Sequence, residues 1–333
     1  HGPDVARDES DEGGPGVSKQ GNDSIGASVA AADILSVPVS RAGAKRVARR
    51  RFRPWLLLVY LYLIVMTLFA AFPIFFVIQA SLSDAQTLYS TQLRLLPPHP
   101  TLSNYVYVLT QMPFVQWVAN SLFVTILSTL AGLALSTAGA YALSRFRFVG
   151  RQYWLVMLIA LQAFPSLLAL LAYYLMYVNV QTITGVSLFN LIGLALVYTA
   201  GAVTFGAWNM KGYFDTLPVE LEQAALVDGA TPTQAFLRIT LPLALPALAS
   251  TALLMSIGQI NEFALANLIL FNQDQAGPGV TFILGLQSLQ ADYRVPWGYF
   301  AAASTMVSLP LMALFLYVQR FFKSGLTIGS VKS

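Results

Sequence analysis

The chain contains no cysteine, which excludes disulfides, thiolate nucleophiles and Cys-ligated metals. It has 2 histidines, His1 and His99, too few for a His-based metal or catalytic cluster. No Ser-His or Cys-His catalytic pair can be built on His99 alone. The sequence G-x-x-x-x-G-K-S/T does not occur, so the chain has no phosphate-binding loop and is not itself a nucleotide-hydrolysing subunit. Charge is scarce at 10% of residues, against about 25% in soluble domains. No signal peptide is visible, because the basic cluster at 41–53 leads into an apolar run too long for one.

What is present is apolar. Hydrophobic residues make up 56% of the 333 positions, which places the chain among membrane proteins. A bilayer core of about 30 Å needs about 20 apolar residues in a helix. Windows of that kind run from about Trp55 to Ile78, Trp117 to Leu143, Tyr153 to Tyr177, Leu188 to Met210, Leu243 to Leu270 and Phe300 to Phe321. The expected fold is therefore an all-α integral membrane protein with six transmembrane helices, the third kinked at Pro165. Trp55, Trp117, Trp154 and Trp297 near the window ends are expected to anchor at the membrane interface.

Positive charge alternates across these windows. Arg41, Lys45, Arg46, Arg49, Arg50, Arg51 and Arg53 precede the first. Arg145, Arg147 and Arg151 lie between the second and third, Lys211 and Arg238 between the fourth and fifth, and Arg320, Lys323 and Lys332 after the sixth. The alternate loops hold only Arg94 and Arg294. Positive charge stays on the cytoplasmic side, so both termini are expected there. The arginine cluster also suits contact with anionic lipids. The resulting organisation is a disordered cytoplasmic segment 1–40, a basic juxtamembrane segment 41–54, a membrane domain 55–323 and a cytoplasmic tail 324–333. Within the domain, 211–242 forms a cytoplasmic loop, while 82–115 and 271–299 form outer loops.

The loop 211–242 carries the most information. Pro218 suits a first helical position, and Glu220 and Glu222 then fall in the first turn, where the helix dipole favours acids. Gly229 fits a helix C-terminus. Thr231, Pro232 and Gln234 form a capping box for a second short helix reaching about Thr240, with Pro242 opening the fifth window. Ala224, Ala225 and Gly229 leave room for close approach by another backbone. Two readings stay open on these grounds: a docking helix for a partner, or a connector packed on its own chain.

Gln223-Ala224-Ala225, three residues, Gly229, nine residues, Ile239, one residue, Leu241-Pro242 resembles the EAA loop of ABC importer permeases. Asn104-Tyr105, Asn120-Ser121-Leu122, Lys211-Gly212-Tyr213-Phe214, Asp228 to Pro232, Phe300 to Ala303 and Gly325-Leu326-Thr327 extend the resemblance to the carbohydrate branch, and to the smaller permease of maltose/maltodextrin importers. It covers the six windows and leaves out residues 1 to about 40. The resemblance implies the type I ABC importer permease fold, with cytoplasmic coupling helices. It implies a bacterial or archaeal inner-membrane location and transport of a sugar such as maltose, maltodextrin, trehalose or a related α-glucoside. Implied partners are a second permease subunit, two copies of an ATPase subunit and a periplasmic or lipid-anchored sugar-binding protein, with membrane lipid around them and no nucleic acid. The chain itself is expected to hold no cofactor; ATP and Mg belong to the ATPase.

By the same resemblance, Glu222, Gln223, Ala224, Ala225, Gly229, Ile239, Leu241 and Pro242 form the ATPase-coupling surface. Gln223 departs from the family's usual glutamate. Docking is therefore expected to rest on shape and on the neighbouring Glu222, because a neutral hydrogen bond is about half as strong as a charge-assisted one. Asn272, Gln273, Asp274, Gln275, Gly277 and Pro278 are implied to reach the binding protein and aid sugar release, although a solvated turn is the plainer reading of that loop. The tail Gly329-Ser330-Val331-Lys332 is implied to touch the ATPase. Glu262 stands as an intramembrane acid that lines the path, pairs structurally or carries a proton; the other windows offer no partner for a relay. Rival functions are a permease for another solute such as glycerol phosphate, an ion-coupled secondary transporter and a polytopic enzyme.

Overall fold

A computed structural model describes residues 54–84, 97, 99–274, 276–290 and 296–327. The expectations for residues 1–40, for the basic cluster and for the tail 329–332 lie outside the described residues. The chain divides into two units, 1–59 and 60–333. Of the first, residues 54–59 begin a helix; all else described here belongs to the second.

The described residues are helical, apart from turns and a single bridging pair, Ser83 and Pro100. Helix α1 covers Pro54–Ser81, α2 Ser103–Gln111, α3 Phe114–Arg145, α4 Arg151–Ala163, α5 Ser166–Thr184, α6 Leu191–Phe214 and α7 Glu220–Val227. Helix α8 covers Pro232–Ala235, a π turn Phe236–Thr240, α9 Leu241–Leu243, α10 Leu245–Ile260, α11 Ala264–Ile269, α12 Phe282–Ser288 and α13 Trp297–Thr327. Among the described residues, five helices are long and apolar enough to cross a membrane, and six if Pro232–Leu243 and Leu245–Ile260, bent by 71°, count as one span.

Several window expectations shift. The third window is two helices, because Phe164 and Pro165 are extended and α5 runs on to Thr184. The proline breaks the helix where a kink was expected: it lacks the N–H that would continue the ladder. The fifth window is likewise divided, into α10 and α11, at Asn261-Glu262-Phe263. The outer segments hold structure of their own, α2 within 82–115 and α12 within 271–299.

Helix α3 is the axis of the packing. Its buried face is small and hydroxylated: Ser121, Thr125, Ser128, Thr129, Gly132, Ser136, Thr137 and Ala140. Gly132 meets Ala202 of α6, and Gly206 of α6 meets Ser136 and Met255, so the helices approach closely. Without a hydrophobic force between helices in lipid, such contact and interhelical hydrogen bonds do the holding. Helix α10 packs on α3, α6 and α13. Ser128 and Thr129 donate to Gln259 Oε1 at 2.8 and 3.1 Å, and Asn209 of α6 donates to Thr251 of α10 at 2.7 Å. An apolar core around Phe114, Trp117, Tyr177, Phe189 and Leu284 closes one end. Ala140, Met210, Phe214 and Ala244, with Tyr141 and Phe236, close the other.

Candidate functional site

The segment between α6 and α10 is built from strong local signals. Asp215 caps the end of α6 and bonds Lys211 one turn earlier at 2.6 Å. Ser144 of α3 donates to the same carboxylate at 2.7 Å. Burial works to raise the Asp215 carboxyl, but the bonds from Lys211 and Ser144 and the charges of Lys211 and Arg151 outweigh it and hold it below the usual range.

Helix α7 begins at Glu220, with Val219 already helical, so Pro218 stands just ahead of the helix instead of at its first position. It ends as expected. Gly229 has φ 87°, and the amides of Gly229 and Ala230 bond the carbonyls of Leu226 and Ala225 at 3.1 and 2.9 Å. This double bond pattern satisfies the last carbonyls of the helix and needs a left-handed residue at 229. The capping box also forms: Thr231 N donates to Gln234 Oε1 at 2.9 Å and Gln234 N to Thr231 Oγ1 at 3.3 Å.

The next expectation fails. The helix does not stop before Leu241; it continues to Leu243, and Pro246, not Pro242, opens α10. Pro242 has no N–H for the carbonyl of Arg238 and its ring would strike that carbonyl. The widened turn Phe236–Thr240, in which Leu241 N bonds Phe236 O, makes room for it.

Two faces of α7 do different work. Glu222 and Ala225 are buried against the chain's own helices. Arg145 Nε donates to Glu222 Oε1 and Tyr141 OH to Glu222 Oε2, both at 2.8 Å. Arg145 also donates to Leu217 O at 3.2 Å. The Tyr141 ring packs among Phe146, Phe214 and Phe236. Glu222, only 7% exposed, is thus unavailable to a partner, and the expectation that its side chain serves docking is corrected. The opposite face is open. Glu220, Ala224 and Val227 share it at helical spacing, flanked by Leu221 and Gln223, with Gly229 exposed at its end. Val227 is 87% exposed. Ile239 and Leu241 are half-buried and Pro242 is exposed.

The stretch 272–279 is fastened to the start of α3. Trp117 Nε1 donates to Gly277 O at 2.7 Å, and Asn120 Nδ2 to Pro278 O and Val280 O at 2.8 and 2.9 Å. Phe282 N donates to Ser121 Oγ at 2.8 Å. Asn272, Gln273, Asp274 and Pro278 remain exposed, and Gly277 is partly so; Gln275 lies outside the described residues. Trp117, expected at the membrane interface, is instead buried in the core with its N–H committed to this loop. Glu262 closes the break before α11: its carboxylate accepts from Leu265 N, Ala266 N and Tyr198 OH at 3.0–3.2 Å. Its role there is a helix cap.

The exposed face of α7 lies inside a longer region that a family model matches. Residues 129–327 match the model described as binding-protein-dependent transport system inner membrane component. The chain belongs to that family. The galactooligosaccharides transport system permease protein GanQ of Bacillus subtilis (strain 168) is 33% identical over 281 residues, covering 83% of this chain and 95% of GanQ. The maltose/maltodextrin transport system permease protein MalG of Vibrio vulnificus (strain YJ016) is 36% identical over 252 residues, covering 72% of this chain and 83% of that protein. A solved bacterial ABC transporter involved in the import of the acidic polysaccharide alginate shares the fold, with TM-score 0.59 and 23% identity over 82% of this chain and 98% of its own. As a binding-protein-dependent inner membrane component, the chain is a multi-pass transport subunit and not an enzyme. The ion-coupled carrier and the polytopic enzyme are set aside on the same ground.

Proposed function

We propose that this chain is one of two permease subunits of an ATP-driven importer for an oligosaccharide. A second, different permease completes the path. Two copies of an ATPase subunit, holding ATP and Mg, bind on the cytoplasmic side, and an extracytoplasmic binding protein delivers the sugar. Both termini are cytoplasmic in this reading, which the charge alternation supports.

The observation that carries the proposal is the divided surface of α7. One face is tied into the chain's own helices, while the face with Glu220, Ala224, Val227 and Gly229 is open. A short helix held from behind and bare in front suits a cleft on another subunit. Gln223 flanks that face and offers a neutral hydrogen bond. The exposed residues Asn272, Gln273 and Asp274 suit contact with the binding protein and its sugar, and the tail Gly329 to Lys332 suits contact with the ATPase. The named relatives handle maltodextrins and galacto-oligosaccharides, so the substrate is proposed at the level of a short saccharide; maltose, maltodextrin and trehalose are its α-glucoside candidates.

The test is isolation of the chain from its native membrane in mild detergent, beside Gly229→Trp. The native chain is expected to bring an ATPase, a second permease and a sugar-binding protein. Tryptophan at a φ of 87° strains the turn and fills the open face, so the ATPase is expected to fall away from the variant. A native chain that comes out alone sinks the importer reading.

A further inference from the structure

Glu222 and Arg145 form an ion pair in which both side chains are about nine-tenths buried, at 2.8 Å, between residues 77 positions apart in the chain. A connector does not need this. Desolvating two charges is costly, and well-packed apolar residues often hold such a contact as firmly or more so. What the pair adds is direction. One carboxylate oxygen takes Arg145 and the other takes Tyr141, from successive turns of one helix. Two bonds at different points fix both the position and the rotation of α7 on α3.

The helix that receives them is fastened at its other end as well. Helix α3 has 32 residues, about 48 Å at 1.5 Å per residue. Its last turns hold 215–222 through Ser144, Arg145 and Tyr141. Its first turns hold 277–282 through Trp117, Asn120 and Ser121. The side chains between pack closely on α6 and α10, which leaves little room for bending.

We propose that Glu222 is a positioning residue for transport: through Arg145 and Tyr141 it latches α7 to α3, so that a displacement of α7 moves α3 and the loop at its far end as one body. The proposal rests on the importer reading, which supplies the push on α7. It assigns Glu222 a task inside the chain and leaves docking to the opposite face. It also accounts for a buried charge in a chain that has few charges.

The experiment uses the assembled importer in lipid. Nitroxide labels are placed at Val115→Cys, exposed at the start of α3, and Leu226→Cys, which flanks the inward face of α7 away from Glu220, Ala224 and Val227. The chain has no cysteine of its own, and the other subunits are used without reactive cysteines. The latched chain is expected to give one narrow distance that does not change on adding ATP and vanadate. In Glu222→Gln the ATPase is expected to stay bound and to hydrolyse ATP, while the distance broadens and shifts with nucleotide. Stimulation of hydrolysis by the sugar-loaded binding protein should fall about tenfold, within the range of coupling between distant sites. Tyr141→Phe keeps the ion pair and the ring packing and removes one bond; it is expected to show a smaller loss of the same kind in a well-folded complex. An unchanged narrow distance in both variants overturns the latch. So does loss of the ATPase from Glu222→Gln, which would make Glu222 a docking residue. A native chain that recruits no ATPase fails the importer reading instead, and is told apart by that.

Discussion

At the scale of single residues, three acids among the described residues are committed to the chain's own helices. Glu262 caps α11, Glu222 holds α7, and Asp215 ties α6 to α3. Asp215 yields a pH prediction. Its carboxyl is held below the usual carboxylate range by bonds from Lys211 and Ser144, against the opposing effect of burial. A group whose folded value is depressed stabilises the fold above its unfolded value and loses that contribution as pH falls through the folded one. Unfolding temperature in detergent should therefore drop on the acid side, between the ordinary carboxylate value near pH 4 and lower pH. Asp215→Asn should flatten that slope and cost no more than about 1 kcal/mol at neutral pH, because the Lys211 pair is partly exposed and screened. A variant with the native acid slope would show that Asp215 is not the group responsible.

At the scale of elements, what could be read from the sequence was what neighbouring residues decide. Gly229 and the Thr231–Gln234 box ended and started helices where expected, because a left-handed turn and a capping box are local chemistry. The apolar windows were also legible, because length and hydropathy are local sums. The breaks inside two of them were not. An apolar window looks the same whether Glu262 caps a new helix or faces a path. The latch was hidden for a different reason. Arg145 reads as one more cytoplasmic positive charge, and nothing near it names a partner 77 positions away. One signal was present: Glu222 and Ala225 share a helical face opposite Ala224 and Val227. Trp117 was misplaced because aromatic residues near span ends usually sit in the interface; its N–H here has a carbonyl in the chain to satisfy. The π turn gives the prediction at this scale. Pro242→Ala restores a donor for Arg238 O and removes a clash that costs a regular helix about 3 kcal/mol. The wide turn should close to an α turn, rotating Phe236 away from Tyr141 by about 100°. Amide exchange at 238–243 should slow, while ATPase recovery with the complex falls severalfold. Unchanged recovery with slowed exchange would mean that the wide turn does not set the docking angle.

At the scale of the whole molecule, the distribution of apolar surface separates what the chain holds by itself from what it leaves to others. The buried polar bonds run along α3, α6 and α10, and the core clusters sit on those helices, on α11 and α12, and on parts of α2, α5 and α13. Helix α1 buries none of its spanning window; Phe69 is 77% and Leu58 70% exposed. The first turns of α5 are close to the same condition, with Leu167 and Leu171 each 67% exposed, while Tyr177 further along is buried in the core. In a lipid-spanning protein such surfaces meet lipid or another subunit. The importer reading assigns part of them to the second permease, and that has a measurable consequence. A partner that binds only the folded chain stabilises it by mass action, by about 2.7 kcal/mol when it is present at a hundred times its dissociation constant. The chain in the assembled complex should then unfold at a clearly higher temperature than the same chain purified alone in the same detergent. The gap should close as the complex is diluted towards dissociation. Equal unfolding temperatures at every dilution would mean that lipid alone covers α1 and α5, and the two-permease arrangement would have to be given up. A gap that persists with the ATPase stripped away would place the stabilising contact within the membrane, on the surfaces that this chain leaves bare.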